Sequence, residues 1–408
     1  MKLTPKGMRD FSPEEMIVRE SVINSITTLY RRYGFRPLDT PAMEYLDTLR
    51  AKAGEEIDQQ IFCLTGEKLA LRFDLTVPLA RVAANSDFPR PFKRYVIGPV
   101  WRKEEPQKGR FREFWQADID IIGTKSMRAE AELLTLSNEL CADFGFKKPK
   151  IMLNNRKILD ALAKKVGFEK KKTEVLRLLD KMDKIGEEAV EEGLRDILGM
   201  RAEELMEYTS NGRKNDEKLE SVRKICKDGA EELEQILSLC NFPIEIDLSM
   251  VRGLGYYTGP VFEIKLSEDI GTVMAGGRYD DLLAVYGRED CATGISIGIE
   301  RLITLILEKK ENKEKTYSRV FVACATQDYY KTAMQLADYL RKNGIDAETD
   351  LNERNLKKQF DYANSLSIPN VVIVGKREIE SGKFTLRNMK TGKEQQLKEE
   401  NIAAKLKA

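Results

Sequence analysis

Histidine is absent from all 408 residues. Without an imidazole there is no Ser-His-Asp triad, no HExxH zinc site and no histidine acid, base or pH switch, so much of ordinary hydrolase chemistry is excluded. Cysteine is scarce too, and Cys63, Cys141, Cys226, Cys240, Cys291 and Cys324 include no CxxC pair. With no histidine to complete a ligand set, a structural zinc site is not expected. Long apolar runs are missing: none approaches the ~20 residues that cross a bilayer, and the opening MKLTPKGMRDF has no apolar core of a signal peptide. The expected setting is cytoplasmic, with reduced thiols and no membrane. An excess of one charge is also missing, since 68 Lys and Arg stand against 67 Asp and Glu. A nucleic acid must then be held by a local basic patch rather than a global field.

What is present suits a soluble globular chain: 42% hydrophobic and 33% charged residues, over a length that suggests two or three domains. Ser12-Pro13-Glu14-Glu15 predicts a helix start with a capping box, followed by Val18, Val22, Ile26, Leu29, Tyr30 and Tyr33 at helical spacing and by Gly34 as a stop. Residues 35–40 and 69–75 read as short strands. Residues 94–101 and 111–122 read as an antiparallel hairpin with a long charged tip. The stretch 156–239 has no proline and is rich in Glu, Lys, Leu and Met, with Leu176, Leu179, Met182 and Ile185 as an apolar stripe, which predicts an all-helical insertion. Strands are expected again at 244–248, 256–264 and 272–275, and residues 292–307 turn from strand to helix near Gly298. Beyond the charged linker KKENKEK, strands at 320–325, 345–349 and 371–374 alternate with helices at 329–342 and 354–366, the pattern of a small α/β domain.

Three clusters could carry chemistry. PFKRYVIGPVWRKEEPQKGRFREFW, residues 91–115, holds seven basic and three acidic residues, and Phe111, Phe114 and Trp115 alternate with Arg110 and Arg112. A charge run is usually a solvated tip; the interleaved aromatics instead suit a polyphosphate or nucleic acid. VRGLGYYTGPVFEI (251–264) and AGGRYDDL (275–282) place glycines beside Arg and Tyr, which allows close backbone approach to a ligand or simply a bulge or a turn with Asp280 near a helix cap. Arg301 follows Glu300 in the first turn of the helix that begins near Gly298. A cation there is disfavoured by about 0.3–1 kcal/mol unless an anion joins it or the side chain reaches water.

Together these residues resemble the class II aminoacyl-tRNA synthetases, and within them the histidyl-tRNA synthetase family. GFRPLDTPAME, around Pro41, is similar to motif 1 of the class, an element of the dimer interface. WRKEEPQKGRFREFWQADIDIIG (101–123) resembles motif 2, and GISIGIERL (294–302) resembles motif 3. RGLGYYTG and AGGRYDDL resemble the two signatures peculiar to the family. The chain departs from many members at Lys103 and Trp115, where bacterial members often carry His, at Gly255, where an acid is common, and at Asp74, where Glu is common.

The resemblance implies an α+β fold: an antiparallel-sheet catalytic domain in two parts, 1–155 and 243–310, a helical insertion at 156–242, and a C-terminal α/β anticodon-binding domain at 318–408. It implies ATP-dependent attachment of histidine to tRNA(His) through a histidyl-adenylate, with release of pyrophosphate and AMP, by a homodimer. Attack by a carboxylate on a phosphate needs positioning and charge neutralisation rather than a general base, which an enzyme without histidine can supply. By resemblance Arg102 holds the α-phosphate, Glu104 the adenine amino group, and Arg110 and Arg301 the outer phosphates, with Mg²⁺ bridging the phosphates and no metal ligand from the protein. Arg252 reaches the substrate carboxylate and the α-phosphate and ranks with Arg102 as catalytic. Asp74, Thr76 and Gln116 match the ammonium contacts, Asp120 and Tyr257 the imidazole contacts, and Tyr279 lines the same pocket. The insertion is expected to clamp the acceptor arm, and Arg354, Lys357 and Lys358 to serve anticodon reading. The competing readings are an inactive regulatory subunit of ATP phosphoribosyltransferase, a class IIa synthetase for another amino acid, and a non-catalytic RNA binder.

Overall fold

The computed structural model describes residues 4–51, 55–107, 109–209, 212–251, 255–309 and 314–407. It divides into two compact units, Met1–Asp10 with Val22–Lys309 and Phe11–Ser21 with Lys310–Ala408. Among the described residues no helix is long and apolar enough to cross a membrane.

The first helix, Pro13–Arg32, carries the expected capping box: the Glu15 amide donates to Ser12 Oγ at 3.3 Å and the Ser12 amide to Glu15 Oε2 at 3.1 Å. Val22, Ile26, Leu29 and Tyr30 are buried, and Gly34 leaves the helix at φ +78°, a conformation that favours glycine.

The centre of the first unit is an eight-stranded sheet in the order Arg36–Pro37, Phe92–Trp101, Glu113–Ile122, Ala292–Gly298, Thr272–Arg278, Pro260–Lys265, Lys150–Asn155, Glu245–Ile246. The five inner pairings are antiparallel and the two edge pairings parallel. The hairpin pairs Phe92 with Ile122 through Trp101 with Glu113, so its tip is longer than the sequence suggested and residues 111 and 112 lie in it. Several strands are shorter than expected, Leu69–Leu71 and Glu245–Ile246 among them. Arg36–Pro37 stops ahead of Pro41, and the segment 256–259 stays outside the strand Pro260–Lys265 while Tyr256 packs edge-on against Tyr279 at 5.8 Å. The turn from strand to helix falls between Gly298 and Ile299.

Among the described residues of 156–239 the regular structure is all helical, from Arg156–Val166 to Lys227–Leu239. The stripe expected there is split between Lys172–Leu179 and Met182–Ile185: Leu176, Leu179 and Met182 are buried, whereas Ile185 is exposed next to Gly186, whose φ of +86° ends the helix.

The second unit has a five-stranded sheet in the order Ala347–Thr349, Val320–Cys324, Asn370–Val374, Phe384–Asn388, Glu394–Leu397, parallel in its first two pairings and antiparallel in the last two. Val320, Val322 and Cys324 pack with the helices Tyr330–Lys342 and Glu399–Lys407, and Phe321 and Ala323 with the helix Leu356–Ser365. Both faces of that strand are therefore buried, and it reads as a continuous apolar run.

Candidate active site

Strand periodicity builds the floor of the site. On Glu113–Ile122, Gln116, Asp118 and Asp120 share one face, since side chains two apart on a strand point the same way. Across the next strand Gly298, Ser296 and Gly294 stand opposite them in that order. These partners are small for a reason: a Cβ on Gly294 would lie 2.2 Å from Asp120 Oδ1. The face opens into a cavity of about 640 Å³ within the first unit.

Ten of the predicted site residues line this cavity: Asp74, Thr76, Arg102, Glu104, Arg110, Gln116, Asp120, Tyr257, Tyr279 and Arg301. Arg252 lies outside the described residues, although its neighbour Val251 is on the wall. From the helical segment, Met182 and Lys184 also reach the cavity.

One end is cationic. Arg102 is fixed by donation from Nε to the Phe73 carbonyl at 2.9 Å and by the Phe114 ring 5.2 Å from its guanidinium carbon. Glu104 stands 3.8 Å from Arg102 and 3.7 Å from Arg110. Arg301, in the first turn of Ile299–Lys309, does not run out to water but donates to the Thr272 carbonyl. Burial and the nearby Arg110 and Arg102 lower its pKa. Glu263 also acts on Arg301, so three guanidiniums face two carboxylates and keep an excess of positive charge, which a polyphosphate can offset. Arg112 has no place among them: its Nε donates to the Glu104 carbonyl at 3.1 Å and its backbone amide to the Gly7 carbonyl, so it braces the tip of the hairpin. Among the described residues no group of three His, Cys, Asp or Glu is placed to hold a metal ion.

The other end is acidic. Arg94, 1% exposed, pairs with Asp120 at 3.0 Å and donates to the Leu75 carbonyl at 2.6 Å, while the Tyr279 hydroxyl donates to the other Asp120 oxygen. Asp74 Oδ1 accepts from the Val77 amide at 3.0 Å, and its Oδ2 is buried without a partner. Burial pushes Asp74 up to about 6. Burial and then the neighbouring Asp120 push Asp118 up to about 7. The sign follows directly: unfolded aspartates take up protons only near pH 4, whereas the folded ones do so at about 6 and 7, so the fold binds protons preferentially. The ligand-free first unit should therefore gain thermal stability as pH falls from 8 to 5. Melting curves across that range test this, and stability that is flat or falls would contradict the burial argument.

Asp118, Ser296 and Arg94 were missed by sequence reasoning. The period of two in QADID already places Asp118 between Gln116 and Asp120 on one face; Arg94 carries no such mark. Asp280 caps no helix: Oδ1 accepts from the Ala292 amide at 3.0 Å. In the same signature Arg278 is buried against Glu130 at 2.8 Å and is structural. Gly276 allows close packing there, since a Cβ would meet the Gly294 carbonyl at 2.0 Å. At Gly255 a Cβ would find open space, so the common acid at that position is absent without any steric demand.

The histidyl-tRNA synthetase profile matches residues 7–302, and an anticodon-binding-domain profile matches residues 319–408. The chain belongs to the histidyl-tRNA synthetase family. A histidine–tRNA ligase of Aeropyrum pernix is 41% identical over 95% of this chain and 94% of its own length, and one of Korarchaeum cryptofilum 38% over 94% and 93%. The crystal structure of a histidyl-tRNA synthetase from Nostoc superposes with a TM-score of 0.86 at 29% identity, covering 100% of this chain and 99% of that one. A Bacillus halodurans protein titled ATP phosphoribosyltransferase regulatory subunit/histidyl-tRNA synthetase superposes at 0.76 with 24% identity over 92% of this chain and 98% of that one, a likeness of fold alone. Within the family assignment the regulatory reading is not favoured.

In the anticodon-binding domain, Arg354 precedes the helix Leu356–Ser365 rather than lying on it as the sequence suggested. It pairs with Asp350 at 3.1 Å and lies over the Tyr362 ring, while Lys357 and Lys358 are exposed in the first turn.

Proposed function

We propose that the cavity of about 640 Å³ is where histidine and ATP meet, its cationic end taking the phosphates and its acidic end the amino acid. The activity of the chain is ATP-dependent attachment of histidine to tRNA(His). The observation that carries the site reading is the gathering of the ten residues in one cavity.

In this reading Arg102 holds the α-phosphate, Arg110 and Arg301 the outer phosphates, and Glu104 the adenine amino group. Arg252 joins Arg102 at the reacting carboxylate. Asp74, Thr76 and Gln116 take the ammonium group, and Asp120 and Tyr257 the imidazole, with Tyr279 lining the same pocket. Mg²⁺ would come with ATP and would neutralise phosphate charge. Met182 and Lys184 on the wall favour an insertion that closes over the acceptor end of the tRNA. Lys357 and Lys358 offer charge for the anticodon arm. The exposed apolar side chains of Met43 and Tyr45, beside Pro41, support a homodimer built on that face.

Pyrophosphate exchange run separately with each of the twenty amino acids tests the reading. Histidine alone should support exchange, because a site that pairs a ring N–H rejects apolar analogues by about 10⁴-fold. Exchange that prefers proline or threonine would move the chain to another specificity, and no exchange with any amino acid would leave an RNA binder.

A further inference from the structure

Three buried oxygens at the acidic end have no hydrogen-bond donor: Asp74 Oδ2, Gln116 Oε1 and Asp118 Oδ1. Each belongs to a side chain that is at most 9% exposed and lines the cavity. Buried acceptors without donors cost free energy, so three in one cavity point to a donor that arrives from outside. Asp120 differs, because Arg94 meets one of its oxygens and Tyr279 the other. Resting on the reading of this cavity as the histidine site, we propose that Asp118 binds substrate directly, accepting a hydrogen bond from the α-ammonium group of histidine beside Asp74 and Gln116.

The count of donors selects the ammonium. It brings three N–H groups and a positive charge, whereas a neutral imidazole brings one N–H. Ser296 orients one acceptor: its hydroxyl oxygen accepts from Gln116 Nε2 at 2.7 Å. The Gln116 amide nitrogen is thus occupied, and the oxygen is the end left for a ligand. The charged groups that act on Asp118 are Asp120 on its own strand, Arg94 on the neighbouring strand, and Asp74 from the segment ahead of the helix Thr76–Ala84. Burial and the two carboxylates raise its pKa to about 7, against the opposing pull of Arg94 and Ser296. An arriving ammonium would displace a proton from this group.

The test compares histidine with its desamino analogue imidazole-4-propionate, with dissociation constants taken by calorimetry on the full chain. Asp118→Asn should weaken histidine about 10- to 100-fold, as for a lost charge-assisted hydrogen bond, and leave the desamino analogue within about twofold. The gap in histidine affinity between wild type and Asp118→Asn should narrow as pH falls from 8 to 6, since protonated wild-type Asp118 has lost its charge; titration of the ligand ring is common to both proteins and cancels. Equal weakening of both ligands, an unchanged histidine affinity, or a gap independent of pH overturns the assignment. If Asp118→Asn does not fold, Asp118→Ser is read by the same criteria. Failure of the wild-type chain to bind histidine overturns the reading of the cavity and this inference together, whereas tight wild-type binding with an unaffected variant overturns the inference alone.

Discussion

Arg102→Ala is expected to lower histidine-dependent pyrophosphate exchange by about 100-fold or more, the scale of losing one preorganised charge contact to a transition state. The guanidinium is already in place before ATP arrives, held by the Phe73 carbonyl and the Phe114 ring. No reorganisation is then needed as charge builds on the α-phosphate. Exchange kinetics at saturating histidine with varied ATP separate the possible outcomes. A fall in kcat and kcat/KM together places Arg102 at the transition state; a rise in KM for ATP with kcat unchanged makes it a uniform binder of nucleotide. A loss below about threefold removes it from the reaction. Arg252→Ala should act in the same direction by family resemblance, but Arg102 is the sharper test because its supports are defined.

Where periodicity and punctuation agree, the sequence is read well. The capping box at Ser12, the stop at Gly34, the hairpin and the strand-to-helix turn at Gly298 each rest on local rules that tertiary contacts reinforce. The candidate site residues were named by resemblance to family motifs, and some of those motifs lie on these elements: Gln116 and Asp120 on the hairpin, Arg301 just past the turn. Tertiary contacts decide the rest. Arg110 and Arg112 look equivalent in sequence, yet the hairpin tip takes one to the cavity and ties the other to Gly7. Arg278 looks like a ligand-binding residue beside its glycines, and only the fold brings Glu130 to it. The strand Glu394–Leu397 was not foreseen because EQQL is nearly all exposed and carries no apolar alternation; its pairing with Phe384–Asn388 places it.

The larger effect on stability is expected from Arg94→Met. The guanidinium holds Asp120 at 3.0 Å in a part of the fold where both side chains are almost wholly buried. Its removal leaves a buried carboxylate with only the Tyr279 hydroxyl, and loss of one partner of such a pair costs about 3–5 kcal/mol. The Asp74 and Asp118 carboxylates lie close enough to act on each other, so the loss of Arg94 removes positive charge from a group of three acids. The pKa of Asp120 is already raised by burial, with Arg94 as its main counterweight, and should rise further in the variant. A carboxyl whose folded pKa lies above its unfolded value stabilises the fold while it is protonated and loses that contribution as pH rises through the folded value. The deficit of Arg94→Met should therefore be greatest near pH 8 and shrink toward pH 5. Adding Asp120→Asn to Arg94→Met should recover part of it at pH 8, because the stranded charge is gone. Melting of the three proteins at both pH values provides the check. A deficit equal at the two pH values, or no recovery in the double variant, would show that Arg94 acts by filling space rather than by holding the acids at the floor of the site.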